Sequence, residues 1–123
     1  MSSNAISWFE IYVEDMARAK AFYEGVFQVT LSQIPAPNTE MWAFEGNPDV
    51  YGAHGALVKM PGFEVGKNSV LVYFACEDCA VTQARVAQFG GQIKGNKRSI
   101  GEHGFISLVF DPEGNLIGLH SFK

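Results

Sequence analysis

The stretch Trp8-Phe9-Glu10-Ile11-Tyr12-Val13-Glu14-Asp15-Met16-Ala17-Arg18-Ala19-Lys20-Ala21-Phe22-Tyr23 decides the fold, because its design recurs once downstream. Phe9, Ile11 and Val13 alternate with Trp8, Glu10 and Tyr12, as in a strand with two unlike faces. Asp15 then offers a short carboxylate to the free amides of a following turn, which predicts a helix from Met16 to about Val26. Met16, Ala19, Tyr23 and Val26, flanked by Phe22 and Phe27, share one face of that helix at the spacing of a helix lying on a sheet. A shift of 63 positions lays Glu14-Asp15 on Glu77-Asp78, Val13 on Cys76, Ile11 on Phe74, Ala21 on Ala84 and Gly55 on Gly118. One shift that superposes a strand, an acidic pair, a helix and a distant glycine marks a duplicated unit.

The rest of the chain fits two such units. Strands are expected at Thr30–Ile34, Glu40–Glu45 and Gly52–Met60, punctuated by Pro35-Ala36-Pro37-Asn38 and Gly46-Asn47-Pro48-Asp49. Pro61–Asn68 is the joint. The second unit then runs through a strand at Ser69–Cys76 and a helix capped by Asp78, with Cys79, Thr82, Val86 and Phe89 inward. Strands at Gln92–Arg98, Gly104–Phe110 and Leu116–Phe122 follow. The fold class expected is α+β, two tandem βαβββ modules (5–60 and 69–123, joint 61–68) in a single domain, residues 1–123.

Composition narrows the function classes. A length of 123 residues, 47% hydrophobic and 18% charged, suits one domain with a continuous core. The net charge of −4 and the single adjacent basic pair, Lys97-Arg98, argue against nucleic acid or an anionic membrane surface as partner. Neither a membrane span nor a secretory signal is visible, so the expected location is cytoplasmic. Cys76 and Cys79 form a C-x-x-C spacing, but a strand end and a helix start without a second pair favour core thiols over zinc or redox chemistry.

The two-unit plan, with FEIYVEDMARAKAFYEGVF early and FDPEGNLIGLHS at the end, resembles the vicinal oxygen chelate superfamily, which includes glyoxalase I, bleomycin and fosfomycin resistance proteins and extradiol dioxygenases. The resemblance implies a cup of curved strands, built within one chain or completed across a two-fold homodimer. It also implies a divalent metal at four sites, one on the first and one on the last strand of each unit. Carried onto this chain, those positions are Trp8, Gly55, Leu71 and Gly118, and none supplies a nitrogen, oxygen or sulfur donor. No metal and no cofactor are therefore expected, and metal-dependent isomerisation or ring cleavage loses its basis.

If Trp8 and Gly118 face the cup, alternation puts Glu10, Tyr12, Leu57, Tyr73 and His120 beside them. Trp8 and Tyr73 would offer flat surfaces, with Leu71 and the glycine leaving room for a ligand. One reading is a binding protein for a small hydrophobic or aromatic molecule, lined by Trp8, Tyr12, Leu57, Leu71, Tyr73 and Gly118. The other is a metal-free isomerase, epimerase or other lyase, with Glu10 and His120 as acid and base. Against it stands the plain alternative that Glu10 binds an amide or water and His120 is an ordinary sheet residue. His54 is expected on the helix side as a structural residue and His103 in a solvated loop. Alternation leaves Trp42 free to line the cup or fill the core.

Overall fold

The computed structural model describes residues 8–47, 49, 53–62, 64–68 and 70–123. Strand β1 (Trp8–Tyr12) leads into helix α1 (Met16–Phe27), followed by β2 (Ser32–Ile34), β3 (Glu40–Ala43) and β4 (His54–Lys59). The second module repeats the order with β5 (Val72–Ala75), α2 (Cys79–Gln83), β6 (Gln92–Ser99), β7 (Phe105–Phe110) and β8 (Leu116–Ser121). Each module makes a four-stranded mixed sheet, in the orders β1-β4-β3-β2 and β5-β8-β7-β6. The first strand of each runs parallel to the last, which is possible because a helix and two strands intervene.

Both acidic caps form. Asp15 accepts from the amide of Arg18 at 3.0 Å and Asp78 from that of Ala80 at 2.9 Å. Helix α1 buries Met16, Ala19, Phe22, Tyr23 and Val26 and stops at Gln28, which takes a left-handed conformation at φ 55°. Helix α2 is shorter than its capping and inner face predict. After Gln83 the chain tightens, with Arg85 and Val86 bonding three residues back, and then makes a 3₁₀ turn at Ala87–Phe89. Two contacts to α1 hold this tightened segment. Arg85 donates Nε to the Val26 carbonyl at 2.7 Å, and the Phe89 ring lies where a side chain at Gly25 would stand.

The core draws on both modules: Ile11, Phe22, Tyr23, Val26 and Leu57 from the first join Cys79, Val86, Val109, Ile117 and Leu119 from the second. A polar clamp accompanies it. The buried Tyr23 hydroxyl donates to Asp111 at 2.7 Å, and Asp111 also accepts from the amides of Glu113 and Asn115. Asn115 donates Nδ2 to the Tyr12 carbonyl, while Glu113 accepts from the Glu14 and Asp15 amides and pairs with Arg18 at 3.0 Å. The turn Asp111–Asn115 thus fastens the last hairpin of one module to the strand-to-helix corner of the other.

Strand register corrects the expected faces. Leu57 pairs with Ile11, is fully buried and belongs to the core on the helix side, so it does not line the cup. Gly55 pairs with Phe9 on that same side, and the Phe9 ring covers it. Ala56 is the residue opposite Glu10 on the cup face. In the second module Tyr73 stands opposite Gly118. Tyr73 lies 63 positions after Glu10, but Gly118 lies 62 after Ala56, so the repeat loses one residue before its last strand. A one-residue slip turns every side chain of a strand to the other face.

Candidate functional site: the cup face and the seam pocket

Along β1, Trp8, Glu10 and Tyr12 form one hydrogen-bonded row. Trp8 donates Nε1 to Glu10 Oε2 at 3.2 Å and Tyr12 donates its hydroxyl to Glu10 Oε1 at 2.6 Å. Period-two alternation alone places the three side by side. The hydrogen bond to Glu10 pushes the Tyr12 phenol up to about 12. His54 belongs to this face and not to the helix side, since it pairs with Trp8; the two rings meet edge-on at 6.3 Å. The expectation for His54 followed from Gly55 being taken as cup-facing, and it falls with the same slip.

On the second sheet Tyr73, Gly118, Ala75 and His120 share the cup face. Tyr73 lies over Gly118, so the space of the missing side chain holds the phenol ring. Trp8 and Tyr73 remain 40% and 46% exposed, large flat surfaces available from the open side. Leu71 precedes β5 and is half-buried. Glu10 and His120 are not brought together. Both oxygens of Glu10 are engaged within its own strand, and His120 Nε2 lies 2.7 Å from the His103 carbonyl and its ring edge-on to Phe122. A direct proton relay between the two has no geometric basis here. Trp42 lies on the helix side opposite Leu57, with Lys20 Nζ 3.4 Å from its ring centroid.

The four positions that would hold a metal, corrected for register, are Trp8, Ala56, Leu71 and Gly118. Indole, methyl, isobutyl and hydrogen provide no ligand atom for a divalent ion. Among the described residues no group of three or more His, Cys, Asp or Glu could hold a metal ion. The donor set does not fit the metal of the glyoxalase-type centre.

A cavity of about 850 Å³ opens at the seam between β1 and β5, bordering the cup face at His54, Tyr73 and Ala75, and sequence reasoning did not find it. Phe9, Phe27, Phe44 and Phe74 line it as a contiguous aromatic wall, with Phe27 stacked on Phe74 at 4.5 Å and Phe44 5.4 Å from Phe74. Alternation assigns Phe9 and Phe74 to the apolar faces of their strands, which reads as core. Only the meeting of two modules leaves those faces partly uncovered. Thr82, Arg85 and Cys76 border the same cavity, and burial pushes the Cys76 thiol above its ordinary range, which keeps it protonated. Cys76 and Cys79 are both free thiols.

Residues 5–119 match the family model for the glyoxalase/bleomycin resistance protein/dioxygenase superfamily. The putative glyoxylase CFP32 of Mycobacterium bovis is 29% identical over 119 residues, which are 95% of this chain and 44% of that protein; the chain thus spans under half the length of this relative. Among solved structures, glyoxalase I from Zea mays superposes with a TM-score of 0.74 at 17% identity, over 94% of this chain and 45% of that one. TnmS3, an antibiotic-binding protein from Streptomyces sp. CB03234, superposes with a TM-score of 0.70 at 25% identity, over 98% of each chain. With two βαβββ modules, the acid-capped helices and a family match over nearly its whole length, the chain belongs to the glyoxalase/bleomycin resistance protein/dioxygenase superfamily.

Proposed function

We propose that this chain is a metal-independent binding protein, holding a small hydrophobic or aromatic molecule on its cup face. The row of Trp8, Glu10 and Tyr12 carries the reading. Hydrogen bonds to one carboxylate fix an indole and a phenol in place, so less side-chain freedom remains to be lost when a flat ligand stacks on them. Tyr73 adds a second exposed ring, and the absence of donors at the four metal positions leaves the face to aromatic and apolar contact. The similarity to an antibiotic-binding protein over the full length of both chains supports binding without conversion.

The cup is completed by a second copy in a homodimer, which would cover Trp8 and Tyr73, both large and exposed on the cup face of one chain. Among the described residues no helix is long and apolar enough to cross a membrane. Two free thiols fit a reducing compartment, and we place the protein in the cytoplasm.

Calorimetric titration with neutral polycyclic aromatics tests the binding. Trp8→Ala is expected to weaken the best of them about tenfold, the scale of one well-placed aromatic contact. Thermal shift with nickel and zinc provides the opposing test, because a stoichiometric metal that raises the melting temperature would overturn the metal-independent reading. A sedimenting species of 13.5 kDa at micromolar concentration would overturn the dimer.

A further inference from the structure

We propose that the seam pocket is a second small-molecule site, adjoining the cup face at His54, Tyr73 and Ala75, and that it takes a flat aromatic carboxylate with its ring on Phe9, Phe27 and Phe74 and its anion at Arg85. The volume of about 850 Å³ lies within the range of roughly 300–1,000 Å³ seen for small-molecule sites. Phe74 is the centre of the wall. It meets Phe9 edge-on at 6.1 Å and Phe27 face-to-face at 4.5 Å, so a ligand ring entering beside it has both a face and an edge to pack on.

The preference for an anion comes from the state of the charges around the rim. Asp78 lines the pocket but is neutralised by Lys97 at 2.8 Å, which together with the Ala80 amide holds its carboxyl below the usual range. Glu45 accepts the amide of Thr30 at 2.8 Å. Glu45, Glu77 and Lys123 are exposed, where water and salt screen them. Arg85 differs. It is half-buried, its Nε is fixed on the Val26 carbonyl, and among the described residues no carboxylate pairs with it. A guanidinium oriented by one backbone bond retains donors for a planar anion, and carboxylate is the group its fork matches. The nearby Thr82 hydroxyl and the protonated Cys76 thiol add no competing charge.

The site differs from the cup-face site in its anchor, Arg85, and shares only its border at Tyr73, Ala75 and His54. Amide chemical-shift mapping with cinnamate tests it on isotope-labelled protein, with cinnamyl alcohol as the neutral counterpart. Cinnamate is expected to shift the amides of residues 27–29, 74–77 and 81–85. Arg85→Gln should weaken cinnamate about tenfold while changing the alcohol less than about twofold, as loss of a charge-assisted hydrogen bond implies. Val81 is 56% exposed at the pocket, so Val81→Trp sets an indole at its mouth without disturbing the core and should weaken cinnamate several-fold. No binding of cinnamate, shifts confined to Glu10, Tyr12, Ala56 and Val58 on the cup face, unchanged affinity in Val81→Trp, or equal affinity for acid and alcohol would each overturn the proposal.

Discussion

Replacing Tyr23 by Phe removes one hydroxyl from the clamp between the modules and leaves the ring packing in place. The hydroxyl is wholly buried and donates to Asp111 at 2.7 Å. A hydrogen bond to a charged group contributes about 1.5–3 kcal/mol. Asp111 retains three other donors, the amides of Glu113 and Asn115 and the Asn115 side chain, so the lower half of that range, about 1.5–2 kcal/mol, is expected. The loss depends on pH, with a definite sign. Burial raises the Asp111 carboxyl above its ordinary value, and the Tyr23 hydrogen bond opposes that rise. The native state therefore binds the Asp111 proton more tightly than the unfolded chain does, and ionised Asp111 weakens the fold as pH climbs from the unfolded value through the raised native one. Without the hydroxyl the native value rises further. The cost of Tyr23→Phe must be fully developed above that window and must shrink as acid protonates Asp111. Urea unfolding of both proteins at neutral and acidic pH measures it. A cost below about 0.5 kcal/mol at neutral pH, or one that stays constant into acid, would refute the assignment of Tyr23 and Asp111 as a clamp.

Four further substitutions probe the same geometry. Glu10→Gln should return the Tyr12 titration from about 12 towards the ordinary phenol value, read as tyrosinate absorbance; an unchanged profile would mean that Glu10 is not its partner. Asp15→Ala should cost about 1 kcal/mol by loss of the α1 cap, while Asp78→Ala should lower the melting temperature by an amount that fades in acid. Asp78 has a depressed native value, so its contribution is present above the unfolded carboxylate pKa and lost as pH falls through the native one. Gly25→Ala sets two effects against each other. Helix propensity favours Ala by about 1 kcal/mol, but the new methyl would coincide with the Phe89 ring, and overpacking costs about 1–3 kcal/mol. A lower melting temperature is expected, and a higher one would mean that Phe89 moves aside freely.

What could be read from the residues was whatever is local in the chain. Asp15 and Asp78 cap helices through amides two or three positions on, and the buried face of α1 follows from a 3.6-residue period, so both were legible. The row Trp8, Glu10 and Tyr12 was legible for the same reason. Strand β4 was not, because alternation offers two phases and only pairing with β1 selects one. The single residue lost from the repeat before that strand moved Leu57 and Gly55 to the helix side and His54 to the cup. Trp42 depended on the same pairing through Leu57. The turn at Asp111–Asn115 was legible as a turn and not as a clamp, since its partners Tyr12, Glu14 and Tyr23 lie about ninety or more positions away. Its surplus of acceptors, Asp111, Glu113 and Asn115 within five residues, was the available signal.

The two ends of the seam differ although the fold is duplicated. The bond from Val13 N to the Val58 carbonyl in the first module has its counterpart in the bond from Cys76 N to the His120 carbonyl in the second, both at the corner between strand and capped helix. At the first corner Glu113 crosses from the other module, takes the Glu14 and Asp15 amides and binds Arg18, and Val13 ends 3% exposed within the core. At the second corner the equivalent of Arg18 is Val81, which has no charge to offer a crossing carboxylate, and Cys76 stays half-buried against the cavity. The reaching acid and the receiving cation together tie the first corner to the other module, whereas exposed backbone amides alone are satisfied by water. The departure from two-fold symmetry is therefore carried by individual side chains, Arg18 against Val81 foremost. It leaves Arg85 beside the aromatic wall, where a carboxylate from outside the chain can take the place that Glu113 fills at the other end.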